Sequence, residues 1–114
     1  MSVKMTTRQV GDVTVVDTEG RITLGDGATT FRDTLRDLAN AGNKKLLLNL
    51  AEVSYIDSSG IGEMVSGFTT VANQGGQVKL LNLTKRVKDL LQITKLYTVF
   101  EVFDDEATAV RSYK

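Results

Sequence analysis

The sequence predicts an α/β domain: a mixed, mostly parallel sheet with an N-terminal antiparallel hairpin and about four helices. Three observations predict it. Runs rich in β-branched residues or leucine alternate with stretches of helical period along the whole chain. One run, Lys45-Leu46-Leu47-Leu48-Asn49-Leu50, is almost continuously apolar, the pattern of a strand covered on both faces by helices. Proline is absent, so glycines mark the breaks between elements. At 114 residues the chain has room for one domain, spanning 1–114, with a core large enough to fold without staples.

Met5 to Val10 reads as the first strand. Gly11-Asp12 makes a tight turn, and Val13 to Thr18 reads as the second strand of the hairpin. Gly25-Asp26-Gly27 is a loop leading into a helix striped by Phe31, Leu35 and Leu38, with Ala28 and Ala39 at the flanks. Ala41-Gly42-Asn43 ends that helix, with glycine where a left-handed cap belongs. The strand at 45–50 follows. The clearest helix carries Ile61, Met64, Val65, Phe68, Val71 and Ala72 on one face and closes at Gln74-Gly75-Gly76. Val78, Leu80, Leu81 and Leu83 form a strand, and Val87, Leu90 and Leu91 stripe a helix from Lys85 to Ile93. Val99 to Phe103 is a last strand. Asp104-Asp105-Glu106 opens a final helix, with acids at its positive end. Tyr55 and Tyr97 are read as packing residues with a wet hydroxyl, and Phe31, Phe100 and Phe103 as core.

Composition excludes several classes of function. Without cysteine there is no disulfide framework, thiol catalysis or thiolate metal site. Without histidine, the commonest metal ligand and general base are missing, and a Ser-His-Asp triad is impossible in cis. No catalytic residue, cofactor or metal is therefore assigned. Fourteen basic against fourteen acidic residues give no net charge and no basic stripe, which argues against nucleic acid. The cluster Lys85-Arg86-Val87-Lys88 reads as the solvated face of a helix. No stretch reaches the roughly 20 apolar residues of a membrane span, and Met1 to Met5 lacks a signal-peptide core. A cytoplasmic protein without membrane contact is expected.

The informative segment is Val53-Ser54-Tyr55-Ile56-Asp57-Ser58-Ser59-Gly60-Ile61-Gly62, at the start of the long helix. Two hydroxyls and a carboxylate stand where backbone N–H groups are free and the dipole favours an anion. Gly60 and Gly62 each cost the helix about 1 kcal/mol relative to alanine, so something approaches this backbone closely. The plainer reading is that Asp or Ser only caps the helix. Both readings can hold, because a cap hydroxyl can also be exposed to modification. No capping box forms, since Gly62 stands three residues after Ser59. The glycines match neither a dinucleotide fingerprint nor a P-loop. A small NTP-binding protein would need a cation aimed at the phosphates, and none lies within 53–64.

Asp57-Ser58-Ser59-Gly60-Ile61-Gly62, following Leu47-Leu48-Asn49-Leu50 and Val53-Ser54-Tyr55-Ile56, resembles the signature of the STAS domain family, the bacterial anti-sigma factor antagonists. The resemblance runs from about Val10 to Glu106 and includes Gln74-Gly75-Gly76 and the segment Val87 to Leu96. It implies partner switching. The serine after the aspartate, here Ser58, would be phosphorylated by a serine kinase that is also an anti-sigma factor. The unphosphorylated chain would hold that kinase and free the sigma factor, and a PP2C-type phosphatase would reset the switch. Asp57, Ser59, Gly60, Ile61, Gly62 and Glu63 would shape the partner-binding surface, with Thr23, Gly25 and Asp26 from the neighbouring loop. That Ser58 rather than Ser59 takes the phosphate rests on the resemblance, not on spacing. The chain departs from the family at Gly20 to Gly27. Thr23 stands where many antagonists have an acid, which leaves the partner's identity open. A subunit of a signalling scaffold or a lipid-transport complex is the alternative within the family. The oligomeric state is not read from the sequence.

Overall fold

The structure, a computed structural model, describes residues 3–113. Its elements in chain order are β1 (Val3–Val10), β2 (Val13–Ile22), α1 (Asp26–Asn40), β3 (Lys45–Ile56), α2 (Ser58–Asn73), β4 (Gln77–Leu81), α3 (Lys85–Ile93), β5 (Val102–Phe103) and α4 (Glu106–Arg111). A single 3-10 turn, Leu96–Thr98, precedes β5. The sheet order is β1-β2-β3-β4-β5, with only the β1–β2 pair antiparallel. The expected α/β class, the hairpin and the helix count all hold.

Two apolar clusters define the layers. Leu46, Leu48, Leu50, Val53, Ile56 and Leu80 face Phe31 and Leu35 of α1, Met64 and Val71 of α2, and Val87 and Leu91 of α3. Val13, Val15, Leu47 and Leu81 face Ala109 and Tyr113 at the C-terminal end. Side chains alternate along a strand, so Leu46 and Leu48 serve one face and Leu47 the other. This double duty explains the unbroken leucine run. Phe31 and Phe100 are core, as expected, while Phe103 packs half-buried against the second cluster.

Helix ends follow the glycines. Gly42 and Gly75 have φ of 95° and 82°. Gly42 N–H donates to Ala39 and Asn43 N–H to Leu38, and the same pattern joins Gly75 to Ala72 and Gly76 to Val71. Both are Schellman closures, which need a left-handed residue after the helix.

Several expected boundaries move. β1 begins at Val3. β2 runs on to Ile22, and β3 runs on through residues 51–56, because these polar-flanked halves pair with each other: Gly20 with Val53, Arg21 with Tyr55, Ile22 with Ile56. Asp26 and Gly27, expected in a loop, form the first turn of α1; a Cβ on Gly27 would collide with the carbonyl oxygen of Arg21. The last strand shrinks to Val102–Phe103, because Val99 ends the 3-10 turn and Phe100 folds into the core. Leu83 lies beyond β4, and Tyr97 is 55% exposed rather than packed.

The second face is closed by polar as well as apolar contacts. The Tyr113 hydroxyl donates to the Leu46 carbonyl, and burial pushes that phenol upward in pKa. Lys79, only 4% exposed, donates to the carbonyl and hydroxyl of Ser112 at 3.1 and 2.8 Å and lies 4.6 Å from the Tyr113 ring centre. Arg8 bridges Asp17 and Glu106 at 2.7 Å each, tying α4 to the hairpin. Tyr113→Phe should cost about 1 kcal/mol, the net worth of one hydrogen bond. Tyr113→Ala should cost about 3–5 kcal/mol, because it also empties the packed volume. Urea unfolding of the two variants measures both.

Candidate functional site

The site is built around Asp57, the residue between β3 and α2. Its backbone is extended, and its Oδ1 accepts the N–H of Gly60 at 2.9 Å, so Asp57 and not a serine is the N-cap of α2. Its second oxygen, Oδ2, accepts the N–H of Leu24 at 3.0 Å, in the turn between β2 and α1. One carboxylate therefore caps a helix and clips a neighbouring turn. Burial pushes the carboxyl upward in pKa. Backbone donation from Gly60, Leu24 and Ser59 outweighs it and holds the group below the usual aspartate range.

That clip sets the helix starts of α1 and α2 side by side. Ala28 N–H donates to Thr23 at 2.8 Å and Thr29 N–H to Gly25 at 3.0 Å, winding the first turn of α1 beside the cap. Gly25 has φ of 97°, open space around it and no capping side chain. Leu24 is 80% exposed.

The expected site residues separate by accessibility. Ser58, Gly62, Gly25 and Asp26 are exposed, and Asp57, Ser59, Glu63 and Thr23 are half-buried. Gly60 and Ile61, also expected in the partner-binding set, are buried beneath this surface. A Cβ on Gly60 would collide with the Ile22 carbonyl oxygen, so its bareness serves contact between α2 and β2. A Cβ on Gly62 would meet nothing within 4 Å, so of the two helical glycines Gly62 is the one that leaves backbone open to a visitor. Ser58 occupies the first helical position, next to the cap and outward-facing, where free N–H groups and the dipole favour an anion. Glu63 lies 3.8 Å from Arg32 of α1, so the two helices are also joined by charge.

Sequence reasoning missed Leu24. Its apolar side chain stands in solvent while its backbone carries the clip. The available signal was a lone leucine between Thr23 and Gly25 in an otherwise polar loop. Among the described residues no group of acidic side chains could hold a metal ion, and no helix is long and apolar enough to cross a membrane. A hollow of about 600 Å³ lies away from Ser58, between Asn82, Thr84, Lys88 and Asp104.

Comparison with known proteins identifies the family and the fold. A family model described as the STAS domain matches residues 4–109. The chain is 40% identical over 75 residues to the anti-sigma-B factor antagonist of Bacillus subtilis, an alignment covering 66% of this chain and 68% of that one. Its fold matches the crystal structure of an anti-sigma factor antagonist from Mycobacterium paratuberculosis, with TM-score 0.82, 14% identity and coverage of 97% and 93%. It also matches the Bacillus cell fate determinant SpoIIAA in its phosphorylated form, with TM-score 0.72, 18% identity and coverage of 95% and 97%.

Two predictions follow from the clip and the paired glycines. Gly60→Ala should destabilise by about 1–3 kcal/mol through overpacking, whereas Gly62→Ala should stabilise by about 0.5–1 kcal/mol through helix propensity. Thermal unfolding of the two variants should shift in opposite directions. Asp57→Asn keeps one accepting oxygen, so it can cap α2 or hold Leu24 but not both. Because the folded-state pKa of Asp57 is depressed, its stabilisation is complete at neutral pH. It fades as pH falls from the ordinary aspartate value of about 3.9 toward the lower folded value. Stability measured against pH should fall less steeply below about pH 4 in Asp57→Asn than in the unsubstituted chain.

Proposed function

The chain belongs to the STAS domain family, and from that membership we propose that it is an anti-sigma factor antagonist controlled by phosphorylation of Ser58. The observation that carries this reading is the placement of Ser58: an exposed hydroxyl at the first helical position of α2, with the capping duty taken by Asp57. A serine that capped the helix would have its hydroxyl engaged with the backbone before modification. Ser58 has no such role to lose.

A phosphoryl group there adds about −1.5 to −2 charges at neutral pH. Within the chain it is tolerated, because the N-terminus of α2 offers free N–H groups and a favourable dipole. For a partner covering the helix end the balance reverses. The added charge stands next to Asp57 and one turn from Glu63, and it enlarges a surface that the partner must match closely. The switch thus acts at the interface, with no rearrangement of the core. The fold match to SpoIIAA in both its unphosphorylated and phosphorylated forms supports a fold that carries a phosphate without changing class.

In this reading the partner is a serine kinase that doubles as an anti-sigma factor, and a PP2C-type phosphatase restores the hydroxyl. The contact surface comprises Leu24, Gly25 and Asp26 from one turn and Ser58 and Gly62 from the other. Thr23, Asp57, Ser59 and Glu63 shape it, and Gly60 and Ile61 support it from beneath. The chain itself is regulatory, not catalytic, and works in the cytoplasm.

A paired capture from lysate of the source organism tests this, with the unsubstituted chain and Ser58→Asp as baits and bound proteins identified by mass spectrometry. The expected outcome is a protein with an ATP-binding kinase fold on the unsubstituted bait and on Ser58→Ala, reduced at least about tenfold on Ser58→Asp by charge repulsion. Equal capture of the same proteins by all three baits would refute the switch and favour a constitutive scaffold.

A further inference from the structure

We propose that Arg21, Tyr55 and Arg86 form a docking patch for an acidic segment of a partner protein. Three elements bring them together. Arg21 on β2 and Tyr55 on β3 are register partners across the parallel ladder, so they project on the same side of the sheet. Arg86 comes from the first turn of α3. The Arg21 guanidinium carbon lies 5.0 Å from the centre of the Tyr55 ring and that of Arg86 lies 4.3 Å from it. Two positive charges thus converge on one aromatic ring.

Neither guanidinium is neutralised within the described chain. Among the described residues no carboxylate lies within ion-pair distance of Arg21 or Arg86, whereas Arg8, Arg32 and Arg36 all have acidic partners. Both guanidinium side chains are exposed and Tyr55 is half-buried, so the forks are held in place by stacking while their donors face solvent. A planar guanidinium binds a carboxylate through two parallel hydrogen bonds. Arginine and tyrosine are also the residues in which protein interfaces concentrate their binding energy.

The surroundings select the occupant. The hollows of the molecule are lined by other residues, so the patch is an open surface suited to another protein's side chains rather than a pocket for a small anion. Glu19 and Glu52, exposed and paired on β2 and β3 close by, would repel a long phosphodiester chain. A protein segment that brings only one or two carboxylates to the forks meets far less of that repulsion than a chain charged at every unit. The patch uses neither Ser58 nor the turn at Leu24, so it does not depend on the phosphorylation reading.

The test is a nuclear magnetic resonance titration of the full chain with a glutamate peptide, two adjacent glutamates in an otherwise uncharged sequence, following the Arg21 and Arg86 side-chain N–H signals and the Tyr55 ring. A glutamine-rich peptide, inorganic phosphate and a single-stranded oligonucleotide serve as parallel arms. The proposal expects saturable shifts at these three residues with the glutamate peptide only. It expects weakening as salt rises and a loss of at least about tenfold in affinity in the double variant R21Q/R86Q. R21K/R86K keeps the charge and should bind with intermediate affinity, which separates lost recognition from lost folding. Shifts spread evenly over the other cations would overturn the proposal. So would tighter binding of the oligonucleotide or of phosphate, or concentration-dependent shifts without peptide that mark self-association.

Discussion

The two oxygens of the Asp57 carboxylate hold the functional end of the molecule together. One closes the N-terminus of α2 and the other fixes Leu24 in the turn before α1. Without the second bond the turn carrying Leu24 and Gly25 would lose its only described tie to the β3–α2 junction through a side chain, leaving the two helix starts joined by packing and by the Arg32–Glu63 pair. Because Asp57 takes the capping task, Ser58 stands free in the first turn. The exposed hydroxyl and the structural acceptor are adjacent residues with separate duties, so the proposed modification of Ser58 leaves both bonds of Asp57 in place.

Below this end the architecture is a sheet with unequal covers. Three helices pack on one face, and a short helix with its trailing tyrosine packs on the other. β3 is common to both, and its leucines are divided between them. The close approach of α2 to β2 depends on Gly60 having no side chain, so the position of the surface above is fixed from the core outward. Gly62 contributes nothing to that packing and leaves an open backbone on top.

Much of this was legible in the sequence, because the signals are local. The stripe from Ile61 to Val71, the glycines after α1 and α2, and the Gly11-Asp12 turn are each decided within a few neighbouring residues. The misread parts are decided by distant ones. Residues 51–56 became strand only because β2 lies beside them, and their own polar pattern did not announce it. Gly60 and Gly62 are alike in the sequence and opposite in role, since the difference is the Ile22 carbonyl some 40 residues earlier, about ten turns of an ordinary helix away in chain length. The cap was ambiguous for the same reason. Asp and Ser are comparable N-caps, and the bond to Leu24 that favours Asp57 spans 33 residues.

The unequal covers have a consequence for the order of events during synthesis. Strands β1 to β4, their three helices and Phe100 can complete the front core without the last helix, but Val13, Val15, Leu47 and Leu81 then remain uncovered on the reverse of the sheet. Their cover is Ala109 and Tyr113, the last part of the described chain to be made. A nascent molecule therefore passes through a stage with a native front and an adhesive back. Until Tyr113 docks, that apolar reverse face is the part of the domain most open to chaperones and to mispairing.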